Sequence, residues 1–402
     1  MSVEVNGSRV AIVGGSIAGC AAAIALLRSG CTVTVYERTN QFLEDRGYGI
    51  GIPTPVRERL VEAGYLDADT PVLTCDDRLW LVRDPVAVGG LGFGRIAWRQ
   101  PFPAALNNWG VLWRALRSHV PDQSYRAATT VTEIHPDDAG VTIVTGSGER
   151  ARYDIVVGAD GYRSMTRPLV DPKARPRYAG YSLWRGNYHE SRLPTPVPGE
   201  LDRDATTVCF PHGHAIFYLI PDFTAGRRIN WAVYLAIPHG QRFRDPTSVP
   251  PGSVGADLLT RFDRVLRYFP DYWADVIRAT DRTELSLQPV YDASVRGYVT
   301  DRLLLIGDAA TLARPHTGSG ATKALQDALA LARVCAEHRT WDRVLAAYDG
   351  ERRPAGNRLV ALGQRLGAAQ VLHTPHWQAM TPATFQSWMF ESLHGLDHPY
   401  DR

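Results

Sequence analysis

Val10-Ala11-Ile12-Val13-Gly14-Gly15-Ser16-Ile17-Ala18-Gly19 is the stretch on which the fold depends. Four apolar residues predict a buried strand, two glycines a tight turn, and the small residues behind them the opening of a helix. Arg9 to Val13 is thus expected as a strand, Ser16 to Ser29 as a small-residue helix, and Thr32 to Glu37 as a second, β-branched strand, together a βαβ unit. In such a turn the N–H groups at the helix start and the helix dipole favour a pyrophosphate. Gly14, Gly15, Ser16, Ile17, Ala18 and Gly19 are the candidate cradle, with Ser16 at the second glycine of the usual fingerprint, still small enough for close backbone approach. Glu37 ends the next strand, where a carboxylate can accept hydrogen bonds from the two ribose hydroxyls of an adenosine. The glycines alone predict a tight turn; with the acid they predict a dinucleotide.

Further along, Thr54 to Ala63 and Trp109 to His119 have helical periodicity, and Thr130 to Glu149 alternates as strands, with turns at Asp137, Asp138, Gly146 and Gly148. An apolar strand, Tyr153 to Gly158, follows. From Arg177 to about Pro238 the runs become longer, β-type and rich in Tyr, Trp and Phe: Tyr178 to Tyr188, Thr206 to Phe210, Ala215 to Pro221 and Arg228 to Ile237. This predicts a second sheet. After a helix near Val254 to Tyr268, the strand Leu303 to Ile306 and the helix Ala321 to Glu337 return to the first domain. The expected organisation is a cofactor domain in two parts, 1–175 and 286–402 with C-terminal helices. A β-sheet substrate domain, 176–285, is inserted between them, with strands interleaved near 75–105. The aromatic stretch Trp377 to Phe390 either caps the cofactor domain or makes a dimer contact.

Composition narrows the function classes. A formal charge of +2 over 402 residues generates no field suited to nucleic acid or anionic lipid, so the expected partner is a small molecule. Cys20, Cys31, Cys75, Cys209 and Cys335 lack disulfide-framework or metal-site spacing, and no apolar run is long enough for a membrane span; a cytoplasmic protein without a metal is expected.

Two more segments carry chemistry. Asp154-Ile155-Val156-Val157-Gly158-Ala159-Asp160-Gly161 is an apolar strand ending in a Gly/Asp turn, with Ser164 and Arg167 at helix-start spacing. Leu303-Leu304-Leu305-Ile306-Gly307-Asp308-Ala309-Ala310 is a second strand presenting a carboxylate, and Pro315-His316-Thr317-Gly318-Ser319-Gly320 leads into a helix. With these three segments in order, the chain up to about residue 360 resembles the flavoprotein monooxygenases of the 4-hydroxybenzoate hydroxylase fold. Gly14-Gly15-Ser16, Arg314-Pro315-His316, Trp184-Arg185-Gly186 and Asn230-Trp231-Ala232-Val233-Tyr234 resemble the 2,6-dihydroxypyridine hydroxylase branch. Thr311 stands where many members have His, Ser319 where Gln is common, and Trp109 where an Arg often contacts the flavin phosphates.

The resemblance implies an α/β fold: a Rossmann-type FAD-binding domain with an inserted β-sheet substrate domain. It implies FAD, NADH or NADPH, and O2, with transfer of oxygen from a flavin C4a-hydroperoxide to a small electron-rich aromatic or N-heteroaromatic ring. By resemblance Asp308 binds the ribityl chain, Gly14 and Gly19 flank the pyrophosphate, and Glu37 holds the ribose. Asp160 and Gly161 belong to a segment shared between FAD and the nicotinamide, while Arg38 and Arg46 lie near the adenosine and the flavin. Pro315, Gly318, Gly320, Ala321 and Thr322 suit the pyrimidine edge of the flavin, where a helix N-terminus stabilises negative charge. His316, with a suitable intrinsic pKa, is the first candidate for a base, against the alternative that it only hydrogen-bonds loop backbone. Arg185, Tyr218 and Tyr234 are candidate cavity residues from the second sheet, and His214 is left unassigned. A same-fold epoxidase or halogenase and a non-catalytic FAD-binding sensor stay open as alternatives, although the halogenase reading needs a lysine and only Lys173 and Lys323 exist.

Overall fold

The structure is a computed structural model that describes residues 3–40, 48–83, 92–236 and 249–393. Strand β1 (Arg9–Val13) is apolar because it is central in its sheet and covered on both faces. Helix α1 (Ile17–Arg28) is rich in the small residues Ala, Gly and Cys, which lets it lie close against that sheet, and β2 (Thr32–Tyr36) completes the unit in parallel register with β1. Strand β3 (Gly49–Pro53) and helix α2 (Thr54–Glu62) come next, then two long strands, β4 (Leu73–Val82) and β5 (Arg95–Asn108). Helix α3 (Trp109–Ser118) starts where the Asn108 side chain accepts from Gly110 N at 3.0 Å. Short β6 (Tyr125–Arg126) precedes an antiparallel three-stranded sheet of β7 (Val131–Asp137), β8 (Gly140–Thr145) and β9 (Arg150–Tyr153). Strand β10 (Ile155–Gly158) and helix α4 (Arg167–Val170) follow.

The aromatic region forms β11 (Arg177–His189), β12 (Ala205–Phe210), β13 (Gly213–Pro221) and β14 (Arg227–Ala236). Helices α5 (Ala256–Val265) and α6 (Asp271–Arg278) lead to β15 (Ser286–Asp292) and β16 (Leu303–Leu305). The chain continues with α7 (Gly320–Glu337), α8 (Trp341–Gly367) and α9 (Pro382–Leu393). Five strands make a parallel sheet in the order β16-β10-β1-β2-β6, and eight make a mixed sheet in the order β15-β11-β14-β13-β12-β4-β5-β3. The strands near 75–105 thus join the aromatic sheet through parallel pairing of β4 with β12, and β3, which the sequence did not mark as a strand, adds to it by antiparallel pairing with β5.

Alternation along β13 and β14 separates two faces. Ala215, Phe217, Leu219, Ile229, Trp231 and Val233 pack in one core with residues of α5 and α6, while His214, Ile216, Tyr218, Asn230, Ala232 and Tyr234 border a cavity. The C-terminal aromatic stretch packs within the chain. Trp377, Phe385 and Met389 pack with Trp80, Val82 and Ala97 of β4 and β5 and with Leu362 and Leu366 of α8, so the stretch covers the eight-stranded sheet. Helix α8 runs through Pro354, a residue that in sequence reads as a terminator.

Candidate functional site

A cavity of about 700 Å³ joins the two sheets. Its first half is assembled at the C-terminal ends of parallel strands: Gly14 after β1, Glu37 after β2, Asp160 after β10 and Asp308 after β16. This is where open α/β sheets bind ligands, because helix N-termini and free loops converge there. Gly14 has φ of 103° and its Cβ would lie 2.4 Å from the Ala159 carbonyl oxygen, so no side chain fits. A Cβ on Gly19 would strike the Gly14 carbonyl at 1.8 Å, which makes Gly19 a packing requirement of the turn. Trp113 Nε1 and Tyr125 Oη each donate to the Gly15 carbonyl at 2.9 Å. Glu37 accepts from Gly15 N at 2.8 Å and from Thr39 N at 2.9 Å, fixing its carboxylate at the cavity edge. Ser16, Ile17, Ala18 and Arg38 also line this half; Arg46 lies outside the described residues.

Asp160 Oδ2 accepts from Met165 N, Thr166 N and Thr166 Oγ1, whereas its Oδ1 is buried without a partner. Ser164 Oγ accepts from Arg167 N, the first residue of α4, at 2.8 Å. The Arg167 guanidinium, which the sequence marked only by its spacing, donates to Asp308 O at 2.6 Å, Ala309 O at 2.9 Å and Gly161 O at 3.2 Å. It thereby ties the two acidic loops together. Burial pushes the Asp308 carboxyl pKa upward against the opposing charges of Lys323 and Arg167. Beneath that loop Lys323 Nζ donates to Gly307 O at 2.8 Å and Asp327 Oδ2 at 2.9 Å, and Arg352 Nε donates to Asp327 Oδ1 at 2.7 Å. Lys323 is therefore a structural cation, and neither lysine of the chain lines the cavity.

Pro315, His316, Gly318, Gly320 and Ala321 line the cavity where α7 begins, and Gly318 adopts φ of 62°. Thr322 is buried elsewhere, its hydroxyl donating to Gly51 O at 3.4 Å. The second half of the cavity is the inner face of the eight-stranded sheet. Arg185 sits with its guanidinium 5.1 Å from the Tyr48 ring centroid. Tyr218 covers Gly49, whose Cβ would come within 2.4 Å of the ring; Gly49 N donates to Asn230 Oδ1 at 2.8 Å. Burial raises the Tyr218 pKa, with neighbouring Asn230 and Arg185 opposing the rise, so its phenol is protonated.

His316 departs from expectation. Its Nε2 meets Tyr181 Oη at 2.7 Å rather than loop backbone, and its ring packs 4.4 Å from Tyr234 and 5.2 Å from His214. Burial, then the nearby His214 and the Arg314 and Arg78 charges, hold its pKa well below 6.5. The intrinsic value that suggested a base does not survive in the fold, because desolvation disfavours the imidazolium. His214, unassigned from sequence, belongs to the same cluster: it stacks on Tyr234 at 4.5 Å and burial pushes its pKa to about 3. Arg78 of β4 also reaches the cavity and was missed, since an arginine in an aromatic strand carries no motif.

A narrow glycine cradle, a carboxylate with an unpartnered buried oxygen and a helix N-terminus suit a dinucleotide that continues into a flat ring, and FAD has that form. A site of this construction is that of a flavoprotein oxidoreductase. The comparisons agree. Residues 263–362 match the FAD binding domain family, and residues 9–65 match the pyridine nucleotide-disulphide oxidoreductase family. The chain is 32% identical over 343 residues to a 3-amino-4-hydroxybenzoate 2-monooxygenase of Streptomyces platensis, covering 81% of this chain and 79% of the relative. It is 26% identical over 387 residues to the 2,6-dihydroxypyridine 3-monooxygenase of Paenarthrobacter nicotinovorans, covering 93% and 94%. The solved 2,6-dihydroxypyridine-3-hydroxylase from Arthrobacter nicotinovorans superposes with a TM-score of 0.80 at 25% identity, covering 95% of this chain and 97% of that one. The chain belongs to the class A FAD-dependent aromatic monooxygenases, enzymes that hydroxylate with NAD(P)H and O2.

Proposed function

We propose that this monooxygenase hydroxylates a small electron-rich aromatic or N-heteroaromatic ring. The observation that carries this reading is one continuous cavity, lined at one end by Gly14 and Asp308 and at the other by Tyr218, Tyr234 and His316. The names of the relatives, a dihydroxypyridine and an aminohydroxybenzoate monooxygenase, support the substrate class. Bound FAD supplies reducing equivalents from NAD(P)H and the activation of O2. The protein's own part is to hold, orient and dry the reactants.

In this reading Gly14 through Gly19 cradle the pyrophosphate, Glu37 and Arg38 hold the adenosine, and Asp160 and Asp308 bind the polyol end. Pro315, Gly318, Gly320 and Ala321 meet the flavin ring, with Thr322 supporting β3 from behind and Arg46 contributing from outside the described residues. Asn230 has its oxygen committed to Gly49 N–H, which turns its amide toward the Tyr218 oxygen and leaves the Tyr218 proton for a substrate oxygen. Arg185 adds positive charge at the same wall. His316, neutral and engaged by Tyr181, is proposed as a hydrogen-bonding wall rather than a strong base. The proposed division of labour gives 1–175 and 286–402 to the cofactor, apart from their strands in the eight-stranded sheet (β3, β4, β5 and β15), which join 176–285 in the substrate cover. A cytoplasmic location and a homodimer complete the reading; among the described residues no helix is long and apolar enough to cross a membrane.

The test is to reconstitute the protein with FAD and screen N-heteroaromatic and phenolic compounds for stimulated NAD(P)H oxidation. Product carrying one added oxygen from labelled O2 supports the reading. Halide-dependent product would turn it toward a halogenase, an epoxide toward an epoxidase, and no stimulation by any ring toward a sensor.

A further inference from the structure

The turn between β1 and α1 is shaped by its glycines and also held from behind. The Gly15 carbonyl accepts from three side chains: Trp113 Nε1 of α3 and Tyr125 Oη of β6, each at 2.9 Å, and Cys20 Sγ of α1 at 3.3 Å. Its N–H is committed too, donating to Glu37 Oε2 at 2.8 Å. All three donors keep their protons. An indole N–H is a donor only, burial raises the Tyr125 phenol, and burial pushes the Cys20 thiol up to about 12. The arrangement requires glycine at this position, because a Cβ on Gly15 would lie 2.3 Å from the Tyr125 hydroxyl.

A peptide unit is planar and trans, so a carbonyl fixed in one direction fixes the following N–H in the opposite one. Gly15 itself is not among the described residues that line the cavity, whereas Gly14 and Ser16 on either side of it are. With the Gly15 oxygen turned back toward α3 and β6, the Ser16 N–H is turned to the cavity. Ser16 is the N-cap of α1, yet its side chain makes no capping bond to that helix, so it does not compete for the first-turn N–H groups. Hydrogen bonds at the carbonyl also polarise the peptide and strengthen its N–H as a donor. Glycine supplies little stiffness of its own, so the orientation of this peptide depends on the side chains behind it.

We propose that Trp113 and Tyr125 are positioning residues for the pyrophosphate of the cofactor: by holding the Gly15 carbonyl they aim the Ser16 N–H at that anion. Neither residue lines the cavity, so the effect passes through the peptide between Gly15 and Ser16. This rests on the assignment of Gly14 through Gly19 as the pyrophosphate cradle.

The experiment is calorimetric titration of the full-length protein, freed of flavin, with FAD, with ADP and with adenosine, which lacks the phosphates. Tyr125→Phe and Trp113→Phe are each expected to weaken FAD and ADP by about two- to tenfold, the loss of one net hydrogen bond. The double variant should weaken both by about thirtyfold and leave adenosine within about twofold. Unchanged affinity of the double variant for FAD and ADP would overturn the proposal. So would an equal loss for all three ligands, the mark of a merely structural role. If Trp113→Phe does not fold, replacement of Trp113 by its sulfur isostere benzothienylalanine, which keeps the shape and lacks the N–H, decides by the same ratio of ADP to adenosine affinity. Gly14→Ala with unchanged ADP affinity would defeat the cradle reading itself. Gly14→Ala that weakens ADP, beside a double variant that does not, would defeat the positioning inference alone.

Discussion

Between about pH 8 and pH 5 the folded protein is expected to lose stability through His214, whose imidazole is fully enclosed between β13, Tyr234 and the turn containing Gln370. Burial, with the Arg78 charge behind it, moves its pKa from 6.5 to about 3. The unfolded chain takes up a proton as the pH falls through 6.5, and the folded chain does so only near 3. Across that window the unfolded state binds more protons, so stability falls as pH falls; above 6.5 neither state is protonated and the effect is absent. The slope approaches about 1.4 kcal/mol per pH unit, and at pH 5 the accumulated loss is about 2 kcal/mol. His316, shifted in the same direction, adds to it. The assay is urea denaturation of the FAD-loaded protein at several pH values, comparing wild type with His214→Gln. Whatever the variant costs at pH 8, its loss between about pH 8 and pH 5 should be smaller by about 2 kcal/mol. An identical pH dependence in the two proteins would refute the reasoning, because it would mean that His214 titrates alike in the folded and unfolded chains.

Three more outcomes are expected. Gly14→Ala places a methyl group 2.4 Å from the Ala159 carbonyl at a φ of 103°, so the purified protein should lose its yellow flavin absorbance relative to wild type; full retention would remove the cradle assignment. Asn230→Asp keeps the acceptor for Gly49 N–H but loses the amide that faces Tyr218, and should lower hydroxylation kcat/KM about tenfold with a matching rise in uncoupled NAD(P)H oxidation. Tyr218→Phe should do the same and the double variant no worse, whereas additive losses would separate the two residues. Asp327→Asn strips the counter-charge from buried Lys323 and Arg352 and should cost about 3–5 kcal/mol in urea denaturation, with weaker FAD retention because Gly307 is freed; unchanged stability would show that the network is dispensable.

The parts of the site that are local in the chain were legible from residue types. The turn between β1 and α1 admits only small residues, since Gly14 and Gly19 are in backbone contact, and that demand lies within ten consecutive positions. The ends of β10 and β16 were readable for the same reason: an apolar strand followed by Gly and Asp specifies both the turn and the carboxylate. These motifs determined the cofactor class and the α/β plan. The cavity wall opposite them was decided only by the tertiary structure. Strands β13 and β14 carry large apolar residues on both faces, so the alternation that would reveal an inner face is hidden, and the phase placing His214, Tyr218 and Tyr234 inward comes from the packing of α5 and α6 on the other side. Arg78 reaches the cavity because β4 pairs with β12 across more than a hundred residues of chain. The protonation state of His316 depends first on burial and then on the neighbouring His214, Arg314 and Arg78; His214 and Arg78 are distant in sequence and adjacent in space. Backbone geometry leaves its mark on neighbouring residues, whereas desolvation and charge depend on everything within a few ångströms, and only folding brings those groups together.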